Sequence, residues 1–112
     1  MRFKHVQDDE TNGMFIANSD TGARVAYLIW DFPEDNENVI EICDLMIYSE
    51  EDRGKGIGSA LINLLLEHAR KLKVDEVMGI TQADDKLAHA FYEKHGFSFP
   101  EPHRFTLTVE RS

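Results

Sequence analysis

The feature that most constrains this chain is a change of hydrophobic period on either side of a glycine-rich stretch at residues 53–58. Before it, Val39 to Tyr48 (VIEICDLMIY) is apolar and β-branched on both alternating faces. Such a run reads as a strand covered on both sides. After it, Ile57, Leu61, Leu64, Leu65, His68 and Leu72 recur at three- and four-residue spacing. That stripe marks an amphipathic helix from about Gly58 to Lys71. A further strand follows at 74–81 (VDEVMGIT). Strand, helix and strand in that order imply a right-handed crossover and a parallel strand pair. The expected fold class is therefore α/β, an α+β arrangement on a mixed sheet.

The rest of the chain fits around this unit. FKHVQ at 3–7 and MFIAN at 14–18 read as strands. Ser19 to Gly22 is a turn signal, and ARVAYLIWDF at 23–32 completes a hairpin with 14–18. Residues 84–95 (DDKLAHAFYEKH) form a second helix, with Leu87, Ala88, Phe91 and Tyr92 on one side and Gly96 as its stop. Short strands at 97–99 and 104–109 flank a Pro100/Pro102 turn. The 112 residues are expected to form one domain, 1–112.

Composition excludes several classes. With 12 Lys+Arg against 21 Asp+Glu, the net charge of −9 argues against a nucleic-acid binder. No apolar run approaches the roughly 20 residues of a membrane span. The first residues, MRFKHVQDDE, lack the apolar core of a signal peptide, so a cytoplasmic location and no membrane partner are expected. The single cysteine, Cys43, allows no intramolecular disulfide and no cysteine-based zinc site. His5, His68, His89, His95 and His103 show no metal-ligand spacing, so no metal is expected. Cys43 and Trp30 read as core residues, and His68 as a core histidine.

The stretch Arg53-Gly54-Lys55-Gly56-Ile57-Gly58 sits between a strand and a helix start. Its three glycines allow positive φ and a close backbone approach to a ligand. The unpaired N–H groups of the helix's first turn and the helix dipole favour an anion there. Arg53 and Lys55 add positive charge. The expected ligand is a phosphate or pyrophosphate. The Walker pattern is absent, and so is the dinucleotide fingerprint, whose third glycine would fall on Ser59.

The pattern that fits is [QR]-x-x-G-x-[GA], and a second element, Ala88-His89-Ala90-Phe91-Tyr92-Glu93-Lys94-His95-Gly96-Phe97, follows it. Together these resemble the GNAT superfamily of acyl-CoA-dependent N-acetyltransferases over about residues 14–109. The resemblance implies a GNAT-like fold in a minimal form. Only Asp8 to Gly13 separate the first two strands, where the family usually has a helix pair covering the acceptor site. The acceptor groove is then open, or completed by a second subunit in a homodimer.

The resemblance also implies roles. The main-chain amides of Arg53, Gly54, Lys55, Gly56, Ile57, Gly58 and Ser59 would bind the coenzyme A pyrophosphate. Leu45, Met46 and Ile47 would offer a strand edge to the pantetheine and a backbone N–H to the thioester oxygen. Tyr92 would act as general acid toward the leaving thiolate, an unperturbed phenol and thiol lying within about two pKa units of each other. Glu41, in Val39-Ile40-Glu41-Ile42, would be the general base, with Asp44 or a water relay as alternatives. A family asparagine is replaced at about Asp85, where an ionised carboxylate cannot donate. The family's Val-x-Pro is replaced by Ile47-Tyr48-Ser49.

The implied reaction moves an acetyl group from acetyl-CoA to a primary amine by direct attack in a ternary complex. A coenzyme A-binding regulatory module without catalysis is the alternative. Nine acidic and no basic residues lie in Val25–Asp52, against five basic and one acidic in Arg53–Lys73. A basic block suits the anionic coenzyme. An acidic block would attract a cationic acceptor, a small amine or a lysine-bearing polypeptide.

Overall fold

The structure, a computed structural model, describes residues 1–33, 36–49, 52 and 54–110. Nine elements run along the chain: β1 (Arg2–Asp9), β2 (Asn12–Asn18), β3 (Arg24–Asp31), β4 (Val39–Ile47), α1 (Ile57–Leu72), β5 (Glu76–Ile80), α2 (Lys86–Lys94), β6 (Ser98–Glu101) and β7 (Arg104–Thr108). The strands form one sheet in the order β1-β2-β3-β4-β5-β7-β6. All neighbours are antiparallel except β4 and β5, the pair joined through α1. This is the mixed sheet expected of a strand–helix–strand crossover.

β1 and β2 are joined by a tight turn at Glu10–Thr11. Asp9 closes it, its Oδ1 accepting from the Thr11 N–H at 2.7 Å and from Thr11 Oγ1 at 2.6 Å. No helix intervenes between these strands, as the short Asp8–Gly13 link implies.

Both described helices lie on one face of the sheet. Ala26, Leu28 and Trp30 point to that face and are completely buried, with Leu61, Ile62, Leu65 and Ala69 of α1 above them. The apolar stripe of α1 thus covers the antiparallel half. α2 lies beside it. A Cβ added at Gly58 would stand 3.2 Å from the Phe91 ring. Tyr92 stacks on Phe105 with ring centroids 3.7 Å apart, and the Phe105 ring fills the space a side chain at Gly79 would need.

Three expectations are corrected here. β4 is not covered on both sides: Cys43, Asp44 and Met46 are exposed. Its register explains why. Trp30 pairs with Ile42 but Ile29 pairs with Asp44, so Cys43 is the extra residue of a β-bulge. The bulge inverts the side-chain phase. Ile40, Ile42, Leu45 and Ile47 therefore share the helix-covered face, although their numbering suggests alternate faces. Cys43 is an exposed bulge residue and not a core one. Finally, Pro100 lies inside β6 and not in the turn, which a strand on the sheet's outer edge tolerates.

Candidate functional site

The bulge coincides with the point where the sheet opens. β4 and β5 pair from Val39↔Glu76 to Ile42↔Gly79 and no further. β5 continues beside β7, up to Ile80↔Arg104. Residues Asp44 to Ile47 keep their partner on β3 alone. The Tyr48 N–H donates to the Val25 carbonyl at 3.0 Å, which sets the alternation of the β3–β4 ladder. By that alternation the N–H and C=O groups of Leu45 and Ile47 face the edge that β5 has left. A cleft of about 360 Å³ occupies the gap. Leu45, Met46 and Ile47 form one wall, Ala88, Phe91 and Tyr92 the other, and Gly58 the end. Leu87, expected in the apolar face of α2, is instead 86% exposed at the rim of this cleft.

The glycine-rich loop closes that end. Gly54 and Gly56 have φ of 80° and 82°, the left-handed region where a Cβ is strained. Gly56 caps α1 without any side-chain hydrogen bond. The first ladder bond runs from the Ala60 N–H to the Gly56 carbonyl at 2.9 Å. The N–H groups of Ile57, Gly58 and Ser59 therefore precede the ladder and project from the helix end. No acidic residue stands in the first turn. The dipole and the amides together favour an anion. Lys55 Nζ lies 3.5 Å from Asp52 Oδ1, an exposed pair that leaves the lysine free to turn toward an anion. Arg53 lies outside the described residues.

Gly58 differs from the expectation of positive φ. It is helical, and its need for glycine comes from the Phe91 ring packed against it. Ser59 keeps its backbone N–H at the helix end, but its hydroxyl is engaged by His95 Nε2 at 2.8 Å, tying α1 to the end of α2. Asp85 has a structural task. It is the N-cap of α2, its Oδ1 accepting from the Ala88 N–H at 3.0 Å, and it borders the cleft.

Tyr92 is the buried aromatic of α2, 8% exposed, with its ring held on Phe105. Burial, and then the negative charges of Asp44 and Asp85, push its phenol up to about 12. The near match between phenol and thiol is thereby lost. Tyr92 therefore holds its proton at physiological pH.

Glu41 lies on the uncovered face, on the paired half of β4, opposite Asp31 and Met78. Its carboxylate, that of Asp31 and the Cys43 sulfur lie within 4.8 Å of one another. This grouping crosses two strands and carries no sequence signal. Burial of the sulfur and a hydrogen bond to Asp31 push the Cys43 thiol up to about 12. The residue is exposed as a whole, yet its sulfur turns inward and meets the Glu41 carbonyl at 3.8 Å. A thiol so held stays protonated at neutral pH and is a poor nucleophile.

Sequence reasoning also missed the partnership of Tyr27 with Asp44. Tyr27 Oη donates to Asp44 Oδ2 at 2.8 Å. These residues lie 17 positions apart, and only the bulged register brings them together.

The family model for the acetyltransferase (GNAT) family matches residues 2–97. The chain belongs to this family. Among curated relatives, protein YxbD of Bacillus subtilis (strain 168), itself uncharacterised, is 30% identical over 80% of this chain and 52% of its own length. A candidate phosphinothricin acetyltransferase of the same organism, YwnH, is 27% identical over 80% of this chain and 55% of its own. The chain thus spans about half the length of these curated relatives. Among solved structures, a candidate streptothricin acetyltransferase from Bacillus anthracis str. Ames, in complex with acetyl coenzyme A, superposes with a TM-score of 0.79 at 19% identity, covering 92% of this chain and 65% of that one. The ribosomal-protein-S18-alanine N-acetyltransferase from Escherichia coli gives 0.77 at 18% identity, covering 94% and 74%. These likenesses establish the GNAT fold.

Proposed function

We propose that the cleft binds acetyl-CoA and that the protein transfers its acetyl group to a primary amine by direct attack in a ternary complex. One observation carries this reading. The free edge of Leu45 and Ile47 lines one cleft together with Gly58, at a helix start without a side-chain cap, and Tyr92. A pyrophosphate suits the amides of residues 54–59. An extended pantetheine amide chain suits the unpaired strand edge, as an added strand would. The thioester then lies toward Tyr92. The acetyl-CoA-bound structural neighbour supports the same co-substrate.

The chemistry follows from these placements. The acceptor arrives as an ammonium ion and loses one proton to water or to Glu41. The neutral amine forms the N–C bond, and the carbonyl oxygen becomes anionic against a β4 backbone N–H. The carbonyl reforms as the C–S bond breaks. The departing sulfur is met by the Tyr92 hydroxyl, which supplies a hydrogen bond as charge develops, and the second proton shed by the nitrogen ends on the sulfur. The products are the N-acetyl amine, the free thiol of coenzyme A and one released proton.

The test is thiol release from acetyl-CoA with a panel of amines, for wild type and Tyr92→Phe. The reading predicts amine-dependent release that Tyr92→Phe lowers sharply with coenzyme affinity intact. Tight coenzyme binding without any amine-dependent release would instead identify a coenzyme A-binding module.

A further inference from the structure

We propose that Asp44, held in place by Tyr27, receives and orients the acceptor's ammonium group at the mouth of the cleft, so that the acceptor is a cationic alkylamine. This rests on the acetyl-transfer reading above.

Position comes first. The bulge at Cys43 turns Asp44 onto the uncovered face, and β4 has lost β5 by this point. Asp44 is thus the first carboxylate past the fork, beside Leu45 and Met46 of the cleft wall. Its negative charge also reaches the Tyr92 phenol, whose pKa it helps to raise.

Orientation comes second. Asp44 is exposed, and an exposed carboxylate ordinarily samples several rotamers. Here Tyr27, one diagonal step away on β3, fixes one oxygen at 2.8 Å. Oδ1 has no protein donor among the described residues and remains for a ligand. A fixed acceptor oxygen at the entrance to an apolar cleft suits a compact –NH₃⁺ donor.

The surroundings favour a cation with an alkyl stem. The Tyr27 and Tyr48 rings lie 5.8 Å apart beside Asp44, and Tyr48 is 53% exposed. Their π faces attract a cation, and Met46, 40% exposed, offers apolar contact to methylenes. No basic residue precedes Arg53 back to Val25, so nothing in that stretch competes for the carboxylate.

The experiment compares wild type, Asp44→Asn and Tyr27→Phe with two acceptors at neutral pH. One is n-pentylamine, which is cationic; the other is 4-methylaniline, which is uncharged. Asp44→Asn is expected to raise KM for pentylamine on the order of 10- to 100-fold, with kcat changed by less than about threefold. Tyr27→Phe is expected to raise it several-fold. Asp44→Asn also removes a charge that acts on Tyr92, so any change in turnover is expected to be shared by both amines, and the rise in KM is expected for pentylamine alone, with affinity for acetyl-CoA kept. Equal rises in KM with both amines would show that Asp44 is merely structural, and an unchanged pentylamine KM would show that it does not touch the acceptor. Either result overturns the inference. A readout that needs no turnover is NMR titration of the coenzyme A-bound protein with pentylammonium. Saturable shifts lost in Asp44→Asn support the assignment, and their absence in wild type contradicts it. Saturable binding without acetyl transfer would overturn the transfer reading alone.

Discussion

One strand of this protein has two halves that behave differently. Val39 to Ile42 is paired with β5 throughout, Glu41 and Ile42 with β3 as well, and the inward side chains, Ile40 and Ile42, are buried. Cys43 to Ile47 is paired on one edge only, from Asp44 onward, and three of its five side chains are exposed. The first half is scaffold. The second presents unsatisfied main-chain groups to a cleft. Apolar content does not separate them, since each half is apolar with one carboxylate. What separates them is one extra residue at the bulge and the departure of β5 toward β7. Buried backbone polar groups require partners. On the acetyl-CoA reading proposed above, the strand edge left bare beside the cleft pairs with the ligand's own amides.

The largest expected effect lies on the open half. Tyr92→Phe removes the hydroxyl but keeps the ring on Phe105, so kcat is expected to fall about 10²- to 10⁴-fold with acetyl-CoA affinity and thermal stability unchanged. Steady-state kinetics beside calorimetry decide it. A large loss of stability would show that Tyr92 is a packing residue only.

The paired half is expected to fail differently. Ile42→Ala empties a site 5% exposed and is expected to cost about 2–5 kcal/mol of stability in denaturant titration. Leu45→Ala, on the half-exposed wall of the cleft, is expected to cost less stability and to weaken coenzyme binding instead. If the two variants show the same balance of effects, the distinction between the halves is wrong.

The loop at the end of the cleft gives a third comparison. Gly56→Ala has open space for its Cβ but a φ of 82°, so its cost of about 1–2 kcal/mol is backbone strain. Acetyl-CoA affinity is expected to drop about tenfold as the loop relaxes. Gly58→Ala has an ordinary helical φ and acts by pressing on Phe91.

Acid is expected to loosen the far end of the sheet. Trp30 Nε1 donates to His5 Nε2 at 3.0 Å, and His5 stacks on Phe15 and against His68. Burial, and then His68, lower the His5 pKa; burial and Lys71 lower that of His68. The folded state therefore binds fewer protons than the unfolded chain near and below pH ~6.5. Stability is full above that value and is lost as pH falls toward the lowered folded pKa. Protonation of His5 Nε2 also removes the acceptor that Trp30 uses. Melting at stepped pH, followed through the single tryptophan, is expected to show this slope, and His5→Gln to flatten it. An unaltered slope in that variant would place the sensitivity elsewhere.

The smallest effect is expected at the bulge itself. Cys43→Ser leaves the register intact and replaces a thiol held at about 12, so kcat/KM is expected to stay within about twofold. Loss of turnover with retained binding would point to an acyl-cysteine step.

Much of this was legible in the residues. The shift from Val39–Tyr48 to the Ile57–Leu72 stripe forecasts the crossover, and the crossover is there. Gly54 and Gly56 forecast a left-handed loop at a helix start, and both have that φ. What escaped depends on pairing between strands. A bulge is a one-residue change of phase, invisible until Trp30 and Ile29 are seen opposite Ile42 and Asp44. The exposure of Cys43, the contact of Tyr27 with Asp44 and the meeting of Asp31 with Glu41 all follow from that register. Asp85 reads equally well as a ligand contact and as a cap, and only the Ala88 bond reveals the cap. Gly58 reads like its neighbours, and its true constraint is a phenylalanine 33 positions away.

The central claim is that the fork in the sheet and the glycine loop together form a coenzyme A site. Calorimetric titration of the protein with acetyl-CoA tests it most directly, with 3′-dephospho-CoA as the comparison. The account predicts saturable binding with a Kd on the order of micromolar, about −8 kcal/mol, weakened in Gly56→Ala. Binding of the dephospho form with lower affinity would assign the basic block a role at the adenosine-side phosphate. No heat of binding at millimolar ligand would contradict the account and leave the GNAT fold of this chain serving another purpose.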